Sequence, residues 1–170
     1  GFCLVGSEMC IRDSNYPSAR HKSAYTGKSL VFGGSEGRLE ATGRGLVYCL
    51  ESYFKQIGEV MRGKTYIIQG LGNVGFYVAK YLNALGCIMV GCGDHTGYYI
   101  IDHDSKLSFT HIEEHIRKYK SLTEFNLDNV KKVDKLDFFK TKCDMILPCA
   151  MEMEINKEIA TEIAVSYTHL

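Results

Sequence analysis

Three glycines and one acid in this chain have a spacing that could bind phosphate groups and a sugar. Gly70, Gly72 and Gly75 form the pattern G-x-G-x-x-G, and Asp94 follows about twenty residues later. Gly70 permits a tight turn, Gly72 lets a phosphate approach the backbone without meeting a Cβ atom, and Gly75 lets a helix lie close to a strand. The carboxylate of Asp94 can accept hydrogen bonds from ribose hydroxyls. Together these residues indicate a dinucleotide site.

The segments around these residues have the character that such a site needs. Residues 64–69 are rich in β-branched and aromatic side chains, as in a buried parallel strand. From Asn73 to Leu85 apolar residues recur at helical intervals, and the free N–H groups at the start of such a helix attract phosphates. Residues 87–90 form a second strand that leads to Asp94. This order predicts an α/β fold, with a doubly wound parallel sheet of the Rossmann type.

The acid also bears on which dinucleotide is bound. A carboxylate at Asp94 would repel a 2′-phosphate, so the sequence favours NAD over NADP as cofactor. The alternative for Gly70–Gly75 is a structural glycine turn that holds no ligand. A strand before the glycines, a helix after them and a trailing acid favour dinucleotide binding over that alternative.

Composition argues against several other classes of protein. The 170 residues carry 20 basic and 20 acidic side chains, so nothing steers the chain toward nucleic acid or an anionic membrane. No apolar run approaches the roughly 20 residues of a membrane span. The seven cysteines include no C-x-x-C pair. We therefore expect an intracellular protein, cytoplasmic or mitochondrial, with no metal site.

The two ends of the sequence are related to each other. Residues 8–14 can be encoded by DNA whose reverse complement encodes residues 164–170, which are the last seven of the chain. An inverted match of this kind is typical of a translated library adapter. We therefore expect residues 1–14 and 164–170 to be adapter-derived artefacts, and residues 15–163 to be an internal fragment of a longer protein.

A second glycine-rich segment lies before the first strand. Residues 26–45 contain six glycines, interleaved with Ser35, Arg38 and Thr42, which suits a backbone that lies close to a ligand. Apolar residues then follow helical spacing and predict a helix from about Thr42 to Ile57. On composition alone, a plain cluster of turns is the alternative.

Four motifs of this chain resemble, in order, the glutamate/leucine/phenylalanine/valine dehydrogenase superfamily. They are the glycine-rich segment 26–45, the fingerprint 69–75, the second strand with its hairpin over 90–99, and the strand over 144–150. Together they cover nearly all of residues 24–160. The forms of residues 37–38 and 41–45 favour glutamate dehydrogenase within the superfamily.

The resemblance implies an oxidoreductase that moves a hydride between L-glutamate and NAD, giving 2-oxoglutarate and ammonia. Arg38 would contact the substrate, since its guanidinium fork suits a carboxylate. Thr42 would reach the cofactor near the nicotinamide. The other implied cofactor-binding residues are Gly70, Gly72, Asn73, Val74, Gly75, Asp94, Cys149 and Ala150. The family also implies a homohexamer.

Some of these assignments have simpler alternatives. Arg38 could form a surface ion pair, and Thr42 could be an N-cap residue. Cys149 stands where relatives often carry alanine, which bears on the contact at the adenine side. The family's catalytic lysines and aspartate belong upstream of Asn15. We therefore expect no catalytic residue in this chain and no turnover by it alone.

The remaining sequence completes the expected domain. We expect residues 15–41 to be the end of a substrate domain and the connecting segment, and residues 42–163 to be a truncated dinucleotide-binding domain. The elements predicted after Asp94 are a short strand over 97–101, a helix over about 108–119, a solvated connector with a short helix over 120–142, a strand over 143–147 and a helix over 154–163.

Two other functions stay open at this stage. One is leucine, phenylalanine or valine dehydrogenase activity within the same superfamily. The other is a non-catalytic dinucleotide-sensing domain built on the same fold. The sensing domain would explain residues 70–94 but not residues 33–45.

Overall fold

The structure is a computed structural model that describes residues 29–102, 109–123, 125 and 129–167. The chain divides into two units, Gly1–Ala41 and Thr42–Leu170. In the described part of the first unit, Leu30–Phe32 forms a short 3₁₀ turn that Gly33 closes in the left-handed conformation, at φ 79°. Arg38 is exposed. The expected domain boundaries and the adapter origin of both ends stay predictions.

A five-stranded sheet is the centre of the second unit. Its strands are β1 (Thr65–Gln69), β2 (Ile88–Asp94), β3 (Gly97–Ile101), β4 (Val130–Val133) and β5 (Met145–Pro148). They lie in the order β4-β3-β2-β1-β5. β1 is parallel to both β2 and β5, whereas β3 is antiparallel to its neighbours β2 and β4. The predicted α/β fold of Rossmann type is confirmed, with an antiparallel extension along one side of the parallel strands.

Helices cover both faces of this sheet. The five helices of the described residues are α1 (Ala41–Gln56), α2 (Asn73–Ala84), α3 (Phe109–Tyr119), α4 (Lys135–Phe139) and α5 (Lys157–Tyr167). Tyr66 and Ile68 of β1 share one apolar cluster with α1, α2 and α3, while Ile67 shares a second cluster with α4 and α5. Because successive side chains of a strand point to opposite faces, these two clusters lie on opposite faces of the sheet, and helices pack on both.

α1 and α2 approach each other closely at a glycine. A Cβ atom on Gly43 would lie 2.9 Å from the Cβ of Tyr77 and 2.9 Å from the carbonyl oxygen of Val74. No side chain larger than hydrogen fits there without a shift of one helix. Gly43 therefore sets the depth at which α1 packs on α2.

The predicted elements are present, but two regions differ: the polar connector, and the last helix, which spans Lys157–Tyr167 where a helix over 154–163 was predicted. The helices predicted from Thr42, Asn73 and residue 108 are present within one or two residues of the expected bounds, and residues 97–101 form β3. Within residues 120–142, however, Val130–Val133 is an edge strand that pairs with β3. The prediction of a solvated connector was wrong there. The two central residues of this edge strand are exposed lysines, so its sequence resembles that of a solvated loop. The short helix that we expected is α4, and its Phe138 and Phe139 are fully buried.

Candidate functional site

The carboxyl ends of the three parallel strands meet at one edge of the sheet. In the strand register, Gln69 at the end of β1 lies opposite both Gly93 of β2 and Pro148 of β5. A cleft of about 480 Å³ opens at this edge. Five of the predicted site residues line it: Gly70, Gly72, Asp94, Cys149 and Ala150.

A tight backbone corner at residues 70–75, the glycine corner, borders the cleft. Gly70 has φ +89°, and a Cβ atom there would lie 2.8 Å from the backbone of Cys149 and Ala150. Its N–H donates to the carbonyl oxygen of Gly93 at 2.7 Å. A Cβ atom on Gly75 would collide with the carbonyl oxygen of Gly70. The first turn of α2 therefore lies against the end of β1 as closely as the backbone allows.

The amino end of α2 opens onto this corner. Gly72 is the N-cap residue and supplies no side-chain oxygen to the first turn. A Cβ atom on Gly72 would meet nothing within 4 Å, so its surroundings are open. Asn73 is exposed, while Val74 is half-buried and packs against the core. A helix start with a small, uncharged cap and open space in front of it suits an anionic group.

Asp94 stands at the end of β2, where the sequence places it. One carboxylate oxygen accepts from the backbone N–H of Thr96 at 2.7 Å, and the other accepts from the N–H of Leu122 at 2.7 Å. These bonds fix the direction of the carboxylate and attach the loop after α3 to the end of β2. The oxygen bonded to the Thr96 N–H also accepts from the Thr96 hydroxyl at 2.5 Å, so the oxygen bonded to Leu122 is the one with a further lone pair for a ligand hydroxyl.

A polar network in the same cleft was missed by the sequence analysis. The Nε2 of Gln69 donates to Oε2 of Glu154 at 2.9 Å and to the hydroxyl of Tyr98 at 3.2 Å. Glu154 also accepts from the ammonium of Lys135. The bond from Lys135, followed by that from Gln69, lowers the pKa of Glu154. Within the described residues, Oε1 of the buried Gln69 accepts no hydrogen bond.

Lys120 and His95 also line the site, and neither was predicted as a site residue. Lys120, which has a left-handed φ of 59°, and the exposed His95 both border the cleft. Lys120 also borders a neighbouring cleft of about 450 Å³, which Asn73 and Arg117 help to line. The only sequence signal for Lys120 was its place just after a predicted helix.

Cys149 follows β5 and lies half-buried against the glycine corner. Burial raises the pKa of its thiol to about 11, so the thiol is protonated at neutral pH. The neighbouring Ala150 is exposed. With a protonated thiol, the half-buried cysteine resembles a small apolar side chain that lines the cleft.

Five predicted residues are not among those that line the cleft, namely Arg38, Thr42, Asn73, Val74 and Gly75. Thr42 is exposed in the first turn of α1, and Arg38 belongs to the first unit. Their predicted contacts with cofactor and substrate stay predictions. Among the described residues, no group of three or more His, Cys, Asp or Glu side chains could hold a metal ion. No helix within the described ranges is long and apolar enough to cross a membrane.

Comparison with known protein families shows which family the chain belongs to. The sequence model of the Glutamate/Leucine/Phenylalanine/Valine dehydrogenase family matches residues 33–168. The chain belongs to this family. The match includes the glycine corner, the acid and the strand β5, so the family resemblance expected from the sequence is confirmed.

Individual members of the dehydrogenase family are similar over most of the chain. The NAD(P)-specific glutamate dehydrogenase of Xylanibacter ruminicola is 37% identical over 166 residues, which cover 94% of this chain and 37% of that protein. A cryptic catabolic NAD-specific glutamate dehydrogenase of Bacillus subtilis is 32% identical over 138 residues, which cover 81% of this chain and 31% of that protein. The chain therefore spans about a third of the length of these relatives.

Solved structures of glutamate dehydrogenases have the same fold. Glutamate dehydrogenase 2 of Plasmodium falciparum superimposes with a TM-score of 0.72 at 29% identity, covering 84% of this chain and 32% of that one. The hetero-hexameric glutamate dehydrogenase of Thermus thermophilus gives a TM-score of 0.71 at 27% identity, with the same coverage of 84% and 32%.

Proposed function

We propose that this chain is the dinucleotide-binding part of an NAD-dependent glutamate dehydrogenase. The whole protein would oxidise L-glutamate to 2-oxoglutarate and ammonia. Support comes from family membership and from the activity for which the similar proteins are named. Bound NAD would supply the chemistry of hydride acceptance, and this chain would bind and orient it. We propose no catalytic residue within the chain.

The glycine corner is the observation that carries the proposal. Gly70 and Gly75 leave no room for a Cβ atom, whereas Gly72 has open space in front of it. Packing within the chain thus requires glycine at positions 70 and 75 but not at position 72. A ligand that passes close to the backbone at position 72 explains why this residue is glycine as well. The pyrophosphate of a dinucleotide fits this position, with Asn73 and Val74 beside it.

Asp94 and Lys120 bear in opposite directions on the choice between NAD and NADP. The carboxylate of Asp94 would accept from the ribose hydroxyls of NAD and repel a 2′-phosphate. Lys120 borders the same cleft and brings a positive charge that would attract such a phosphate. We propose that NAD is preferred, because Asp94 is fixed by Thr96 and Leu122 at the end of β2. The positive charge of Lys120 would reduce the difference in affinity between NAD and NADP.

Replacement of the acid tests this choice of cofactor. The Asp94→Ser variant should bind NAD about tenfold more weakly, because it loses acceptors for the ribose hydroxyls. Its affinity for NADP should rise or stay constant. Titrations of the chain with both dinucleotides provide the measurement, and Asp102→Ser, which exchanges an exposed acid beyond the end of β3, is the control. A wild-type chain that already prefers NADP would contradict the proposed preference.

The substrate is tested on the whole protein that contains this chain. Initial rates of NADH formation should be highest with L-glutamate among glutamate, leucine, phenylalanine and valine. We propose that Arg38 contacts the substrate and that Thr42 reaches the nicotinamide end of the cofactor. Arg38→Ala should then raise KM for glutamate more than it changes KM for NAD. The purified 170-residue chain should form no NADH from glutamate, and steady turnover by it would contradict this part of the proposal.

We also propose that the whole protein is a homohexamer. The similar Thermus protein is described as hetero-hexameric, which supports a six-subunit assembly but not its composition. Residues 15–41 would then belong to the end of the substrate domain and to the connecting segment. Residues 42–163 would belong to the dinucleotide-binding domain.

A further inference from the structure

The side chain of Glu154 presents a fixed carboxylate to the cleft. No part of the proposed function uses this carboxylate. It lies in the loop between β5 and α5 and borders the cleft, with 29% of its side chain exposed. Gln69 holds one side of the carboxylate at 2.9 Å, and Lys135 holds it from the start of α4. Both contacts use Oε2, so Oε1 takes part in neither bond.

The position of Glu154 relates it to one end of a bound dinucleotide. The chain passes from β1 through α2 to β2, and β5 then lies on the other side of β1. Ligands of such sheets lie in the crevice at this change of direction. With the phosphates at Gly72 and the adenosine ribose at Asp94, the ring attached to that ribose is adenine. Gly72, Asp94 and Glu154 all border one cleft, and the ring would lie in that cleft.

The chemistry of Glu154 selects a hydrogen-bond donor. An ionised carboxylate can only accept, and its lowered pKa keeps it ionised at neutral pH. The edge of adenine carries an exocyclic amino group with two N–H donors. Hypoxanthine carries at the same place an oxygen, which a carboxylate would repel, and it places its one donor on that edge at N1 instead.

We propose that Glu154 recognises the 6-amino group of the adenine ring, with Gln69 and Lys135 as the residues that position its carboxylate. This assignment rests on the proposed dinucleotide binding and adds a specificity-determining residue to it. It predicts that the chain discriminates between two dinucleotides that differ in this substituent and in the proton on the neighbouring ring nitrogen N1.

The experiment compares NAD with nicotinamide hypoxanthine dinucleotide in calorimetric titrations of the 170-residue chain. The wild-type chain should bind NAD about tenfold more tightly, which is the size expected for a hydrogen bond to a charged group. In the Glu154→Gln variant the ratio of the affinity for NAD to that for the hypoxanthine dinucleotide should fall to about twofold or less. The reason is that an amide can donate to the oxygen of hypoxanthine as well as accept from adenine. Glu154→Ala should remove the discrimination too.

The matched control is Glu152→Gln, which makes the same change of charge on the same loop. Glu152 is exposed and is not among the residues that line the cleft. This variant should keep the wild-type ratio. Circular dichroism of each variant shows whether it is folded, and Glu154→Gln decides the result if Glu154→Ala does not fold.

The possible outcomes separate this inference from the function on which it rests. A wild-type ratio near one, or a ratio that Glu154→Gln leaves unchanged, overturns the role of Glu154 while dinucleotide binding stands. Absence of binding by either dinucleotide to the folded wild-type chain overturns the proposed function itself.

Discussion

At the scale of single residues, the glycines of the fingerprint have different physical roles. Gly75 is required by the fold, because a Cβ atom there would collide with the carbonyl oxygen of Gly70. Gly72 is not required by the fold, because a Cβ atom there would meet nothing within 4 Å. Folding and binding can therefore be separated by two substitutions of the same size, only three positions apart.

We expect Gly75→Ala to destabilise the chain and Gly72→Ala to weaken dinucleotide binding alone. Gly75→Ala should lower the free energy of unfolding by about 1–3 kcal/mol, since the backbone of α2 must move away from β1. The free energy of unfolding of Gly72→Ala should lie within about 0.5 kcal/mol of the wild-type value. Urea unfolding of both variants provides the measurement. Equal stabilities of the two variants would show that the contact of Gly75 with Gly70 does not constrain the fold.

At the scale of elements, the helix pair α1–α2 depends on a second close contact. Gly43 lies where its Cβ atom would meet both a side chain and a backbone oxygen of α2. Gly45, two residues later in α1, has no neighbour within 4 Å of such an atom. The same helix thus contains one glycine that packing requires and one that it does not.

Substitution of these two glycines should change stability in opposite directions. Gly43→Ala should destabilise the chain by about 1–3 kcal/mol, because it separates α1 from α2. Gly45→Ala should stabilise it by up to about 1 kcal/mol, because alanine favours the helix. Thermal unfolding of the pair measures both effects. A stabilising Gly43→Ala would mean that α1 does not pack on α2 as closely as described.

Local patterns predicted most elements but could not predict contacts between residues that are far apart in the sequence. The strand, glycine turn and helix over residues 64–85 are encoded by short-range spacing, so their prediction was confirmed. β4 was missed because an edge strand exposes one side and its two lysines resemble a solvated loop. Glu154 was missed for another reason. Its partners Gln69 and Lys135 come from β1 and α4, and only the assembled sheet brings them together.

At the scale of the whole molecule, the Glu154 network links three parts of the chain. It joins the end of β1, the start of α4 and the loop before α5. The hydrogen bonds from Lys135 and then Gln69 lower the pKa of Glu154 below its ordinary value of 4.5. A carboxyl group with a lowered pKa in the folded state stabilises that state above its ordinary pKa. This stabilisation is lost as the pH falls through the lowered value.

The stability difference between the wild type and the Glu154→Gln variant should therefore depend on pH. At pH 7 the wild type should be more stable by up to about 1 kcal/mol, as for a partly exposed ion pair. The difference should shrink as the pH falls below 4.5 and vanish once Glu154 is protonated. Thermal unfolding midpoints of both proteins between pH 7 and acid conditions provide the measurement. A difference that is constant over this range would show that Glu154 is not stabilised as a carboxylate.

The central claim concerns the cleft as a binding site, and calorimetric titration of the folded 170-residue chain with NADH tests it most directly. We predict saturable heat that corresponds to one dinucleotide per chain, with weaker binding of NADPH and a clear loss of affinity in the Gly72→Ala variant. A folded chain that releases or absorbs no heat of binding with either dinucleotide would contradict the claim.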